Sequence, residues 1–135
     1  MTDTPAAYLR TSLEDFNRAH GLADQSQSIS NQRKVILEYV QHNPEFSEVQ
    51  IREFIDDGLT GTNTDRPQFQ AMSEAARRGE VKGIIVKDLA RFGRNYLDVG
   101  DYLEHIFPFL GVRVIAVNDG YDSKQYEGKT GGMDI

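Results

Sequence analysis

Four short apolar runs, at 5–10, 48–55, 83–88 and 112–117, alternate along the 135-residue chain with segments of helical periodicity. Residues 83–88 (GIIVKD) and 112–117 (VRVIAV) are rich in β-branched side chains, which suits a pleated strand and disfavours a helix. Strand–helix alternation predicts an α/β domain: a mostly parallel sheet of four to five strands, right-handed crossovers, and helices on both faces. One domain fits this length. We expect it to occupy 1–123, with 124–135 as a flexible tail.

The connecting segments carry their own signals. The stretch 11–28 is polar and longer than most connections, which marks it as a functional or mobile loop. A helix is expected from Ser28 or Ser30 to about Gln41, with Val35, Ile36, Tyr39 and Val40 on one face and Pro44 beyond its end. In the 48–55 strand, Val49, Ile51 and Phe54 are the candidates for burial. Residues 56–65 (DDGLTGTNTD) read as a turn-rich loop. A second helix starts at Pro67, carries Phe69, Met72 and Ala76, and stops at Gly79. A third begins near Leu97, with Val99, Leu103, Ile106 and Leu110 at helical spacing. Beyond Asn118 the chain has little apolar content and is expected to fray.

Composition removes several classes of chemistry. There is no cysteine, so disulfides and thiolate catalysis are excluded. His20, His42 and His105 show no metal-ligand spacing such as HExxH. No window is apolar enough for a membrane span and the N-terminus lacks a signal-peptide core, so a cytoplasmic protein is expected. Net charge is −6 and the isoelectric point about 5.0, which argues mildly against nonspecific nucleic-acid binding.

In parallel α/β sheets, ligands sit outside the carboxyl ends of the strands. Three arginine-bearing segments should fall there: 10–12, 57–66 and 87–94. Arg10, Arg66, Arg91 and Arg94 would repel one another unless an anion or carboxylates neutralised them. Guanidinium forks suit phosphate oxygens, and fixed cations stabilise a phosphodiester more as it gains charge under attack. Ser12, two residues beyond Arg10, offers a hydroxyl nucleophile. Spacing alone leaves surface ion pairs and a simple loop serine as open alternatives. A nucleotide-binding domain would need a Gly-rich phosphate loop, and neither GxxxxGK[ST] nor GxGxxG occurs.

Tyr8-Leu9-Arg10-Thr11-Ser12 resembles the Y-x-R-x-S opening of the serine site-specific recombinases, the resolvase and invertase superfamily. Segments 28–33 (SISNQR), 56–69 (DDGLTGTNTDRPQF), 86–95 (VKDLARFGRN) and 107–119 (FPFLGVRVIAVND) look like that family's next blocks in the same order. The wording of the second and third of these, with the long loop after Ser12, is most similar to the large serine recombinases of transposons. The resemblance implies a resolvase-like catalytic domain that cuts and rejoins double-stranded DNA, with Ser12 as the nucleophile that joins to the 5′ phosphate. Arg10, Arg66, Arg91 and Arg94 match the arginines that hold the scissile phosphate. Gln32 matches an active-site glutamine and Asp57 a structural aspartate near the site; Lys87, read from its strand-end position alone, is a candidate phosphate contact with a solvated lysine as the open alternative. The resemblance also implies a homodimer and a synaptic homotetramer built through a long helix beyond this segment, with site recognition in DNA-binding regions further on, so this segment alone should be weakly active or inactive.

One position departs from the pattern. The residue before Arg91, often Asp or Ser in relatives, is Ala90. A carboxylate there would orient an arginine or assist proton transfer, and alanine does neither. Either the role is dispensable or another group supplies it. A noncatalytic interaction domain is the competing reading, with Ala90 in its favour. Phe92, Tyr96 and Phe107 read as core or helix-packing residues, and Gly58, Gly61 and Gly93 as turn formers.

Overall fold

The structure, a computed structural model, describes residues 5–11, 28–57, 66–93 and 100–126. Strands β1 (Ala6–Thr11), β2 (Arg52–Asp57), β3 (Gly83–Val86), β4 (Arg113–Ala116) and β5 (Tyr121–Asp122) form one sheet in the order β2-β1-β3-β4-β5. The first four are parallel, and β5 runs antiparallel to β4. Helix α1 (Ile29–Gln41) links β1 to β2, and α2 (Pro67–Arg77) links β2 to β3. Before β4 comes a wide turn at Tyr102–Ile106 that runs into α3 (Phe107–Leu110).

The strand order explains why helices cover both faces. From β1 the chain steps one way to β2, then back past β1 to β3 and on to β4. Right-handed crossovers in opposite directions place their helices on opposite faces. Accordingly, Ile36 and Val40 of α1 pack with Ala7, Leu9, Ile85 and Ile115. Phe69 and Met72 of α2 and Phe107 of α3 pack with Tyr8, Ile84, Val86 and Val114. Alternate residues of β1, β3 and β4 thus serve opposite cores, which is why these strands read as unbroken apolar runs.

The local signals act where expected at several ends. Ser28 caps α1 by accepting the Asn31 N–H at 3.0 Å. Pro67 opens α2, and Gly79 follows it at φ 81°. Phe92 and Phe107 are fully buried in the core, as expected.

Other boundaries need correction. The second strand is Arg52–Asp57, not 48–55. A short helical turn at Pro44–Phe46 delays it, and Phe46 fills the core space in place of Val49. Asp56 and Asp57 therefore end a strand and do not open a loop. Around Tyr102–Ile106 the third helix is wider than an α-helix, with the Phe107 N–H reaching the Tyr102 carbonyl. Pro108 has no N–H for the Glu104 carbonyl and its ring crowds that position, which favours the wider turn. The segment after Asn118 does not fray at once. It forms β5 and a helical turn at Ser123–Tyr126, held because Arg113 grips Asp122 and Ser123 Oγ accepts the Val114 N–H at 2.9 Å.

Candidate active site

The strand order reverses at β1, so the crevice for a ligand lies where the carboxyl ends of β1 and β3 part. They part early: β1 pairs with β3 only at Ala6 and Ala7, while it pairs with β2 along its whole length. Arg10 lies beyond the last β3 partner, and its backbone groups need others. Gln32 on α1 supplies them, accepting the Arg10 N–H at 3.0 Å and donating to the Arg10 carbonyl at 2.9 Å. A fully buried amide in a helix is costly unless satisfied, and this one is satisfied twice.

Arg91 reaches the same carbonyl. It sits in a short helical turn, Leu89–Arg91, at the exit of β3, and its Nη1 donates to the Arg10 carbonyl at 2.5 Å. Its Nε pairs with Asp88 Oδ1 at 3.1 Å, and its side chain is only 5% exposed. A buried guanidinium must be paired. Here a carboxylate and a strand-end carbonyl do so.

Arg66 arrives from the other side. It precedes α2 in a left-handed conformation (φ 50°, ψ 63°), unusual for a residue with a Cβ. Its guanidinium lies 4.1 Å above the Phe69 ring and donates to the Phe92 carbonyl, one residue beyond Arg91. The N-terminus of α2 is secured by Asp56, whose carboxylate accepts from Gln68 N–H and Phe69 N–H, both at 3.0 Å, and from the Tyr8 hydroxyl at 2.7 Å. Burial, then the Asp56 hydrogen bond and charge, push the Tyr8 hydroxyl far above its ordinary range. The charges of Arg66 and Arg10 pull it weakly the other way.

Of the expected site residues, Arg10, Gln32, Arg66 and Arg91 come together. Asp57 accepts from Thr11 Oγ1 at 3.0 Å, a contact that ties the ends of β1 and β2. Lys87 is buried at the exit of β3. Ser12 and Arg94 lie outside the described residues. Among the described residues, no group of His, Asp and Glu is placed to hold a metal ion, and no helix is long and apolar enough to cross a membrane.

Sequence reasoning missed Asp56 and Asp88. Asp56 shares a strand face with Phe54, and that alternation was the available signal. Asp88 stands three residues before Arg91, a spacing that lets side chains meet across one helical turn.

Residues 6–131 match the family model described as resolvase, N terminal domain. The chain belongs to the resolvase family. Solved structures agree on the fold. A resolvase family site-specific recombinase from Streptococcus pneumoniae superposes with a TM-score of 0.71 at 26% identity, over 93% of this chain and 79% of that one. The N-terminal catalytic domain of TP901-1 integrase gives 0.67 at 20% identity, over 90% and 82%. A serine recombinase from Sulfolobus solfataricus gives 0.55 at 20% identity, over 87% and 69%. No curated protein matches the sequence. The five-stranded, mostly parallel sheet is thus a resolvase-like sheet.

Proposed function

We propose that this resolvase-family domain breaks and rejoins double-stranded DNA through a phosphoserine link at Ser12. The observation that carries the reading is the Arg10–Arg91 contact at the end of β1, one residue short of Ser12's neighbour Thr11. It brings the cationic exit of β3 to the strand that delivers the serine. Arg66, bonded to the Phe92 carbonyl, adds a third guanidinium at the same edge.

In this reaction Ser12 Oγ attacks the scissile phosphorus and gives up its proton. The P–O3′ bond breaks, and the departing 3′ oxygen takes a proton to become a hydroxyl. The 5′ phosphate stays joined to Ser12. Attack by a 3′ hydroxyl reverses the steps, so the energy of the broken diester is kept. Arg10, Arg66, Arg91 and Arg94 hold the phosphate and stabilise the extra charge of its transition state. Gln32 fixes the Arg10 backbone, and Lys87 contributes a further cation beside the phosphate. Asp57 is structural. The working assembly is a homodimer that pairs into a synaptic homotetramer on DNA, acting in integration or excision of a mobile element. Neither a metal nor a cofactor takes part.

The test uses the protein in its complete natural form, with supercoiled plasmid carrying the ends of the element that encodes it. A denaturing gel should show a protein–DNA adduct, and Ser12→Ala should remove it. An adduct that survives Ser12→Ala overturns the nucleophile. Folded protein that binds those ends and gives no adduct replaces this reading with noncatalytic DNA binding.

A further inference from the structure

We propose that Asp88 is the positioning residue for Arg91, and that it supplies from three residues upstream the carboxylate that Ala90 lacks. The inference rests on the reading of Arg91 as a phosphate-holding residue. Asp88 stands at the N-cap of the Leu89–Arg91 turn, where an aspartate ordinarily accepts a backbone N–H of that turn. Here its side chain makes no such cap.

The capping duty has passed to another residue. Asp119, from the turn after β4, accepts the Leu89 N–H through Oδ2 at 2.7 Å. The neighbouring Asn118 N–H donates to the Lys87 carbonyl at 2.8 Å, which locks that turn against the exit of β3. With the Leu89 N–H satisfied from outside, the Asp88 carboxylate turns to Arg91 Nε.

The geometry of the pair suits orientation. Asp88 takes Nε and the Arg10 carbonyl takes Nη1, so two points on the fork set the plane of the guanidinium. With two of its nitrogens held, the group cannot rotate about its stem without breaking one contact. The side chains are 5% and 19% exposed, so the pair is largely withdrawn from water and is unlike a surface ion pair that contributes little. Orientation matters because a displacement of about 1 Å at a reacting centre can slow a reaction about 100-fold.

The experiment measures adduct formation and DNA affinity with the complete protein and the plasmid described above, for Asp88→Ala, Asp88→Asn, Arg91→Lys and the Asp88→Ala/Arg91→Lys double variant. Asp88→Ala should slow adduct formation about 10- to 100-fold with plasmid affinity near wild type, and should melt lower because Arg91 loses its buried carboxylate partner. Asp88→Asn keeps an oxygen for Nε and should recover most of the rate. In the Arg91→Lys background, where no Nε fork remains to orient, Asp88→Ala should cost nothing further. Wild-type rates in Asp88→Ala, or an equal loss in both backgrounds, overturn the proposal; the second result would mean that Asp88 acts elsewhere. If Arg91→Lys and Ser12→Ala both keep the wild-type rate, the recombinase reading itself falls, and the proposal with it. Loss in those two variants alone, with Asp88→Ala unaffected, overturns only the role of Asp88.

Discussion

The Gln32 side chain and the Arg10 backbone form a closed pair, with Oε1 accepting the Arg10 N–H at 3.0 Å and Nε2 donating to its carbonyl at 2.9 Å. The amide takes the place of a strand partner at a point where β1 has outrun β3. Arg91 donates to the same carbonyl, so one backbone oxygen joins α1, β1 and the exit of β3. On its β3 side, the end of the strand that leads to Ser12 is therefore held by side chains, while β2 still pairs with it on the other side.

Gln32→Leu tests that account. Leucine is of similar size and apolar, but leaves the Arg10 N–H without its acceptor, at a cost of about 1–3 kcal/mol. The urea midpoint should fall accordingly, and adduct formation should slow because the Arg91 anchor loosens. An unchanged midpoint would show that the Arg10 backbone finds another partner, and would remove the amide from the account of the site.

Tyr8 predicts an alkaline sensitivity. Its hydroxyl is held protonated in the fold, well above the ordinary 10.0, chiefly by burial and by Asp56. The unfolded chain releases that proton near 10, so the stabilisation is complete below that pH and is lost as pH rises beyond it. The loss should approach about 1.4 kcal/mol per pH unit. Tyr8→Phe should cost about 1 kcal/mol near neutrality, and its deficit should shrink above pH 10. Urea unfolding of both proteins between pH 7 and 11 measures this. A constant gap would mean that Tyr8 ionises alike in both states.

The parts of the fold that were legible in the sequence are those governed by apolar periodicity and end signals: β1, β3, β4, the start of α1 at Ser28 and both ends of α2. The parts that were not depend on buried polar groups, which periodicity cannot register. Asp56 has the residue type of a loop, and only its three donors reveal it as the buried end of β2. β5 has two residues and no pattern of its own, since Arg113 and Ser123 hold it. That Arg10, Arg66 and Arg91 fall at one edge was legible because strand ends in a parallel sheet share it; Arg94 lies outside the described residues. Which carboxylate serves which arginine was not, because that depends on rotamers and on Asp119 arriving from 30 residues away.

Arg66 separates strain from function. Its left-handed backbone costs about 1–2 kcal/mol for a residue with a Cβ, and glycine removes that cost. The cation over Phe69 contributes about 0.5–2 kcal/mol in the other direction. Arg66→Gly should therefore melt close to wild type, and Arg66→Ala, which keeps the strain and loses the contacts, should melt lower. Both should slow adduct formation by about 100-fold or more. Alanine melting above glycine would mean that the conformation carries no strain.

Arg113 predicts an acid-sensitive edge. Its guanidinium grips Asp122 through Nη2–Oδ2 at 2.7 Å and Nε–Oδ1 at 3.0 Å, and reaches Glu45 Oε2 at 2.5 Å. These contacts join β5 to the turn that carries Phe46. The hydrogen bonds to Arg113 hold the Asp122 carboxyl below its ordinary 3.8 and the Glu45 carboxyl below its ordinary 4.5. Lowered carboxyls stabilise the fold above those ordinary values and lose their contribution as pH falls through the folded ones. Arg113→Leu should cost between about 1 kcal/mol, as for an exposed pair, and about 3 kcal/mol, as for a buried one, at pH 7. Its deficit should narrow as pH falls below 4, and at pH 7 hydrogen exchange should quicken in the peptide covering 118–126 while β1 and β3 keep their protection. A deficit that persists unchanged under acid would assign the stabilisation to the contact of Arg113 with the Phe46 ring at 5.7 Å, and not to the two carboxylates.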